Sequence, residues 1–377
     1  MSSPDRRPTL AVDARALLTA PHGIASYTQG LLEALVRRGE LDIVAVAHRP
    51  LPTLPLGIGV AIQPARYGVA WQQSYLPRWL RRHRPDLFWS PPQTLPLLAP
   101  IIASTTRLVT TVHDLTVLTH PTAHTTKVKW SQAPLLGRSL AIAHHVVAIS
   151  TATATELAKH FPRLAADKIT VIHNGIDEAF TPSSADDIAT WRRRLGAPEG
   201  YLLAVGTLEP RKNLAYLLDA WLPLRERGEA PPLLLAGPEG WGEEALRRRL
   251  ATLEPLGVRR LGVLPKEDLV RTVAAATAFV YPSLAEGFGL PAAEAMACGV
   301  PTLVCDISSL PEVVGDAGLL VDPNDPSSLS RALLRVLREP ALAAELSRRG
   351  IGRASRFTWA RCADQLSVVF ARELDRR

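Results

Sequence analysis

Lysine, cysteine and long apolar runs are scarce in this chain. Of 43 basic residues only 6 are lysine, against 37 arginine. Cysteine occurs three times, at Cys298, Cys305 and Cys362. An odd count without regular spacing offers no disulfide framework, and reduced thiols in a cytoplasmic protein are expected. No apolar run reaches the roughly 18 residues that a membrane-spanning helix needs. The stretch Leu95 to Ala103 is apolar, but Pro96 and Pro100 break it. Residues Met1 to Arg7 run into Leu10–Asp13 without the apolar core of a signal peptide. Several motifs are missing as well. There is no Gly-x-Ser-x-Gly nucleophile turn, no Walker loop and no Gly-x-Gly-x-x-Gly dinucleotide fingerprint. No signature of nucleic-acid binding is visible, so no nucleic-acid partner is expected. His120 with His124, and His144 with His145, lack the cysteine or carboxylate pattern of a metal site.

The 377 residues suggest two or three domains, and their charge is unevenly placed. Residues 1–185 hold 18 Lys+Arg and 11 Asp+Glu, a net of +7, while residues 186–377 hold 25 of each. All ten histidines fall in the first part. A basic first half is suited to an anionic partner, with anionic lipid or a lipid-linked phosphate as candidates. The segment Trp71 to Arg84 is basic and aromatic. Two readings stand for it: a helix lying on an anionic membrane surface, or an ordinary surface helix with tryptophan inside and arginine outside.

Short apolar runs alternate with helical patterns throughout. Expected strands are Thr9–Asp13, Ile43–Ala47, Asp86–Ser90, Arg107–Val112, His145–Ile149 and Lys168–Ile172. After a polar linker from Phe180 to Asp187 they resume at Tyr201–Val205, Leu233–Ala236, Val258–Leu261, Ala278–Tyr281 and Pro301–Val304. Helices are expected at Ile24–Arg38, Thr151–His160, Ala292–Ala297 and Phe357–Arg377. This rhythm predicts an α/β protein with two parallel sheets covered on both faces. The expected divisions are 1–182, 183–356 and a final helix, 357–377.

One string stands out against this background: Glu286-Gly287-Phe288-Gly289-Leu290-Pro291-Ala292-Ala293-Glu294. It follows an apolar strand and leads into a helix. Gly287 and Gly289 permit a sharp turn, and Pro291 suits the first helical position. The helix start presents N–H donors to phosphate or hydroxyl ligands. Glu286 and Glu294 bracket that cradle and can accept from sugar or ribose hydroxyls. Further candidates lie at other strand ends. Pro21-His22-Gly23 precedes the first long helix. His113-Asp114 follows Val112. Gly206-Thr207 leads to the adjacent cations Arg211 and Lys212, a pair suited to a diphosphate.

Two glutamates flanking Gly-Phe-Gly in this spacing resemble the signature of the retaining glycosyltransferases with two Rossmann-like domains, the GT-B architecture of glycosyltransferase family 4, mannosyltransferases included. The resemblance implies two domains facing each other across a cleft and a C-terminal helix that returns to the first. It implies a nucleoside-diphosphate sugar as co-substrate, no cofactor and no metal. The Asp-x-Asp pair with which metal-dependent glycosyltransferases hold a cation is absent. On this resemblance Glu294 takes the ribose, and Arg211 and Lys212 hold the diphosphate. Glu286 and the backbone of Phe288, Gly289 and Leu290 hold the sugar. His113 reaches the reacting carbon, and Gly23 and Thr207 line the diphosphate. Thr207 stands where many members have arginine; Arg211 beside Lys212 is the candidate substitute. A mannosyl donor is favoured, with a saccharide or lipid-linked saccharide as acceptor. A sugar-nucleotide epimerase, a UDP-dependent glucosyl or N-acetylglucosaminyl transferase, and an inactive scaffold remain alternatives.

Overall fold

The computed structural model describes residues 6–18, 23–52, 54–119, 126–240 and 244–376, without the side chains of 126–133. Pro21, His22, His120 and His124 lie outside the described residues. The chain divides into two compact units, Met1–Gly175 with Thr358–Arg377, and Ile176–Phe357.

The first unit is built on seven strands: β1 (Thr9–Asp13), β2 (Asp42–Ala47), β3 (Gly59–Ile62), β4 (Leu87–Ser90), β5 (Arg107–Val112), β6 (His145–Ala148) and β7 (Ile169–Val171). All pairings are parallel, in the order β3-β2-β1-β4-β5-β6-β7. Leu10, Leu87, Phe88 and Val146 are fully buried because helices cover both faces of a parallel sheet. The strand order reverses between β1 and β4, and the carboxyl ends there are where an open α/β sheet binds its ligand.

The second unit carries β8 (Leu202–Val205), β9 (Leu233–Ala236), β10 (Val258–Gly262), β11 (Ala278–Tyr281), β12 (Thr302–Cys305) and β13 (Leu319–Val321). These pair in parallel in the order β10-β9-β8-β11-β12-β13. Here the reversal falls between β8 and β11, so the segments after those two strands flank one crevice.

Each strand expected from the apolar runs is present, displaced by at most one residue at an end. β3 and β13 were not expected. Both are edge strands, short and only partly buried, and so carry a weak apolar signal. The last residues of the expected linker are helical. Ser184 caps the helix Ala185–Arg194, its Oγ accepting the Asp187 N–H while the Asp187 carboxylate accepts the Ser184 hydroxyl. The second unit begins at Ile176, earlier than residue 183, and its first N–H donates to the Phe357 carbonyl at 2.9 Å.

The final helix, Trp359–Asp375, belongs to the first unit and packs on the helix Gly23–Arg38. A side chain at Gly30 or Gly175 would collide with Trp359, so two glycines admit the indole. Further along, the fully buried Glu373 pairs with Arg107 at the start of β5 and lies 3.6 Å from His145 Nδ1 in β6. The segment Trp71 to Arg84 lies mostly within the helix Gly68–His83, with Trp71 and Trp79 buried and Arg78, Arg81 and Arg82 exposed. Tryptophan is inside and arginine outside.

Candidate active site

In the second unit the site starts where β8 ends. Gly206 has φ +152°, and a Cβ there would lie 3.1 Å from Lys212 Cε. Glycine therefore lets the lysine stem cross the backbone. Pro210–Lys212 forms a single 3-10 turn, Asn213 takes a left-handed conformation, and the helix Leu214–Glu226 follows. This turn carries Lys212 back under the crevice, where it is 8% exposed.

Across the switch point, β11 delivers Tyr281 and then Glu286. Lys212 Nζ lies 2.5 Å from Glu286 Oε1, donates to the Tyr281 hydroxyl at 2.7 Å and stands 4.7 Å from the centre of that ring. Arg211 Nη1 lies 3.1 Å from the same Glu286 oxygen and donates to the Ala285 carbonyl, while Nη2 donates to Glu209 at 2.6 Å. Two cations and two carboxylates are thus locked together with no net charge. The sequence suggested Arg211 and Lys212 as a diphosphate clamp and Glu286 as a sugar ligand. The structure instead gives both cations intramolecular carboxylate partners.

Burial alone would raise the Glu286 carboxyl. The Lys212 and Arg211 charges overcome that and hold it at about 2. Burial lowers the Lys212 ammonium from its ordinary value, with Glu286 opposing the shift. At neutral pH Glu286 is therefore ionised. Gly206, Thr207, Leu208, Lys212, Tyr281 and Ser283 line a small open crevice at this edge.

The turn after Glu286 starts the helix Leu290–Ala297. Gly289, with φ +99°, is its N-cap, and a Cβ there would lie 2.7 Å from Leu310 Cδ2. Leu290 takes the first helical position and Pro291 the second, one place later than expected. The Phe288 side chain is 2% exposed and packs edge-on against Phe357 at 5.2 Å, so only its backbone is placed to meet a ligand. Glu294 lies on the same helix, outside the Lys212 cluster, and is partly buried. Burial raises its carboxyl to about 7; Asp177 adds to this and Lys266 opposes it. Asp177 and Lys266 are themselves paired at 2.5 Å.

In the first unit, His113 follows β5 and is 6% exposed. Its Nε2 is 2.9 Å from the Pro91 carbonyl just after β4. A carbonyl only accepts, so Nε2 carries the proton and Nδ1 is the acceptor nitrogen. The Tyr27 ring stands edge-on to the imidazole at 4.8 Å. Burial lowers His113 to about 4, and the ring is neutral at working pH. Asp114 accepts the N–H and hydroxyl of Thr116, capping the next turn. Gly23 opens its helix, and no described atom lies within 4 Å of where its Cβ would be.

The structure therefore gathers the adjacent Arg211 and Lys212 with Glu286, which lies 74 positions beyond Lys212, and keeps Glu294 separate. Sequence reading missed Glu209, Tyr281, Ser308 and Ser309. Glu209 and Tyr281 sit inside motifs already singled out and were within reach. The two serines lie 21 to 23 positions beyond the residues they hold, with no motif to mark them.

Comparison with known proteins places this geometry. The family described as Glycosyl transferases group 1 matches residues 187–353, and Glycosyltransferase Family 4 matches residues 21–180. The O-antigen chain mannosyltransferase B of Escherichia coli is 38% identical over 264 residues, covering 69% of this chain and 68% of that protein. The serotype-specific mannosyltransferase WbdA of Escherichia coli is 32% identical over 237 residues, 61% of this chain but only 29% of its own length. Among solved structures, HepE of Anabaena in complex with UDP and glucose aligns with a TM-score of 0.74 at 22% identity, covering 97% of this chain and all of that one. The lipopolysaccharide glycosyltransferase WaaG aligns at 0.75 with 15% identity, covering 96% of this chain and 99% of its own. At those identities the structures speak for the fold. The relative matched over two thirds of its length carries the rest: this chain belongs to glycosyltransferase family 4 and is a glycosyltransferase of the GT-B fold.

Proposed function

We propose that the enzyme transfers a hexose, with mannose favoured, from a nucleoside-diphosphate sugar to a saccharide or lipid-linked saccharide during polysaccharide biosynthesis, retaining the anomeric configuration and using no metal. The observation that carries this reading is the Lys212–Glu286–Arg211 cluster at the switch point of the second sheet. The glycosyl–phosphate bond breaks with its electron pair leaving on phosphate, and Lys212 and Arg211 stabilise that charge. Positive charge grows on the sugar, beside the ionised Glu286. The acceptor oxygen bonds to the anomeric carbon, and its proton passes to the departing phosphate. In the first unit His113 is a neutral imidazole. Glu294 accepts from the ribose, and the Phe288–Leu290 backbone and Thr207 line the donor. The names of the mannosyltransferase relatives support the sugar and the pathway class.

The test is a panel of nucleoside-diphosphate sugars scored for transfer and for hydrolysis, with the anomeric product read by NMR. A GDP-linked mannose is expected to be used in EDTA at nearly the rate seen with magnesium. A strict divalent requirement overturns the metal-free reading, and an inverted product overturns retention.

The acceptor side favours an anionic surface. Residues Ile43 to His113 contain one acid, Asp86, against seven arginines. Asp86 is engaged by the Thr9 N–H and Arg6. Arg78, Arg81 and Arg82 are exposed on one helix, and Leu98 and Ile101, 51% and 76% exposed, lie on the short segment that contacts it. The occupant we assign is an anionic bilayer. Among the described residues no helix is long and apolar enough to cross one. Vesicle flotation is expected to retain the protein on anionic and not on zwitterionic lipid, and Arg78→Glu with Arg82→Glu is expected to release it. Equal flotation on both lipids overturns the assignment.

A further inference from the structure

We infer that Ser308 and Ser309 are positioning residues for Glu286, acting through its backbone; this rests on the reading that Glu286 meets the transferred sugar. Ser309 is fully buried. Its Oγ lies 2.9 Å from the Glu286 carbonyl and 2.9 Å from the Phe288 carbonyl. A hydroxyl has one proton, so that donor is shared across the turn. Ser308 Oγ accepts the Glu286 N–H at 3.1 Å and donates to the Glu286 carbonyl at 2.8 Å. Both backbone polar groups of Glu286 are thus held by serine hydroxyls, while its carboxylate is held by Lys212 and Arg211.

The backbone at Ser308 adds a second observation. Its φ is +60°, a left-handed conformation that glycine adopts at no steric cost and serine does not. Strained residues persist where the surroundings over-determine them, and they cluster at functional sites. Here the strain comes with two hydrogen bonds that only a side-chain hydroxyl supplies. Glycine would relieve the one and lose the other.

This loop is well placed to matter. Glu286 faces a developing charge, and displacing such a group by about an ångström can cost on the order of 100-fold in rate. The nucleotide end of the donor lies elsewhere, toward Glu294. Loss of the serines is therefore expected to lower turnover and spare the affinity for a sugar-free nucleoside diphosphate.

The experiment uses the full-length enzyme, with turnover measured on the donor identified by the panel and calorimetry on the matching nucleoside diphosphate. Ser309→Ala is expected to lower kcat ~10- to 100-fold, and Ser308→Gly ~3- to 10-fold, with diphosphate affinity within twofold of wild type. In a Glu286→Gln background, Ser308→Gly is expected to add less than a twofold loss, because a residue acting through Glu286 has nothing left to position. Wild-type kcat in both single variants overturns the inference. So does a loss that is undiminished in the Glu286→Gln background, or one matched by an equal loss of diphosphate affinity. If wild-type enzyme turns over no nucleotide sugar, it is the donor reading that fails.

Discussion

The carboxyl edges of the two sheets are built on one topology and furnished in opposite ways. The second sheet ends in charge: Lys212, Arg211, Glu209 and Glu286 within one cluster. The first has an ion pair of its own at the end of β1, Asp13 with Arg15 at 2.6 Å, but around His113 it holds neutral, buried groups, Tyr27 and the Pro91 carbonyl. Both edges bury polar groups, but Lys212 and His113 meet desolvation differently. Charges survive burial in the second because each has an opposite partner at 3.1 Å or less. In the first, burial lowers His113 to about 4, outweighing the Pro91 carbonyl and the Asp114 charge, which oppose it. On the proposed function this contrast has a use. A leaving diphosphate calls for cations that can exchange one anionic partner for another. A glycosyl carbon gaining positive charge is better met by a neutral imidazole than by an imidazolium.

The largest test of this contrast is to remove the buried cation. Lys212→Ala is expected to lower kcat/KM ~100- to 1000-fold, the scale of losing a group that stabilises a leaving anion. Arg211→Ala is expected to cost ~10- to 100-fold, since Arg211 also holds the Ala285 carbonyl and Glu209. Steady-state kinetics on the full donor measures both. If Arg211→Ala is silent while Lys212→Ala is not, Arg211 does not stand in for the arginine that Thr207 lacks.

Within the second sheet, the two glutamates sharpen the comparison. Glu286→Gln is expected to lower kcat ~10- to 100-fold and leave nucleoside-diphosphate affinity unchanged. Glu294→Gln is expected to raise the donor KM and weaken the free diphosphate, with a smaller fall in kcat. Calorimetry and kinetics together separate them. Loss of diphosphate binding in Glu286→Gln would show the roles exchanged.

The neutral edge is broken by pH. Because His113 is held at about 4, its protonation is expected to add no inhibition above pH 5. An acid limb near pH 6.5 in kcat, abolished by His113→Ala, would show the imidazole titrating as an ordinary histidine and overturn the lowered value. The rate loss from His113→Ala itself is expected to be ~10-fold.

The smallest effect concerns stability. Glu294 is raised to about 7, so between about 4.5 and 7 the folded state binds more proton than the unfolded one. Its contribution is present at the acid end and is lost as pH rises through 7. Thermal unfolding between pH 5 and 8 is expected to show that decline, and Glu294→Gln to flatten it. Diphosphate affinity runs the other way, strengthening as the carboxylate ionises. A wild-type stability profile unchanged by Glu294→Gln would show the group titrating normally.

How much of this was legible beforehand differs between strands and site. The expected strands were readable because a parallel sheet covered on both faces demands apolar runs, and Leu202–Val205 or Leu233–Ala236 have no polar residue to mislead. Gly59–Ile62 escaped because an edge strand is half in water. The Glu286–Glu294 string and Arg211-Lys212 were readable as motifs, since turn, helix start and charge are all local features.

Sequence alone determined the αβ alternation, the charge asymmetry and the motifs that mark candidate site residues, because each depends on the identity of neighbours in the chain. Tertiary structure alone decided their state. It paired Lys212 with Glu286, 74 positions away, and so made a charged clamp neutral at rest. It gave two glutamates eight positions apart carboxyls at about 2 and about 7, one held down by Lys212 and Arg211 against its burial, the other raised by burial with Asp177 adding to it. It set the His113 proton on Nε2 by bringing the Pro91 carbonyl from β4 to the end of β5. Ionisation depends on burial and on charges within a few ångströms, and those distances exist only once the chain is folded.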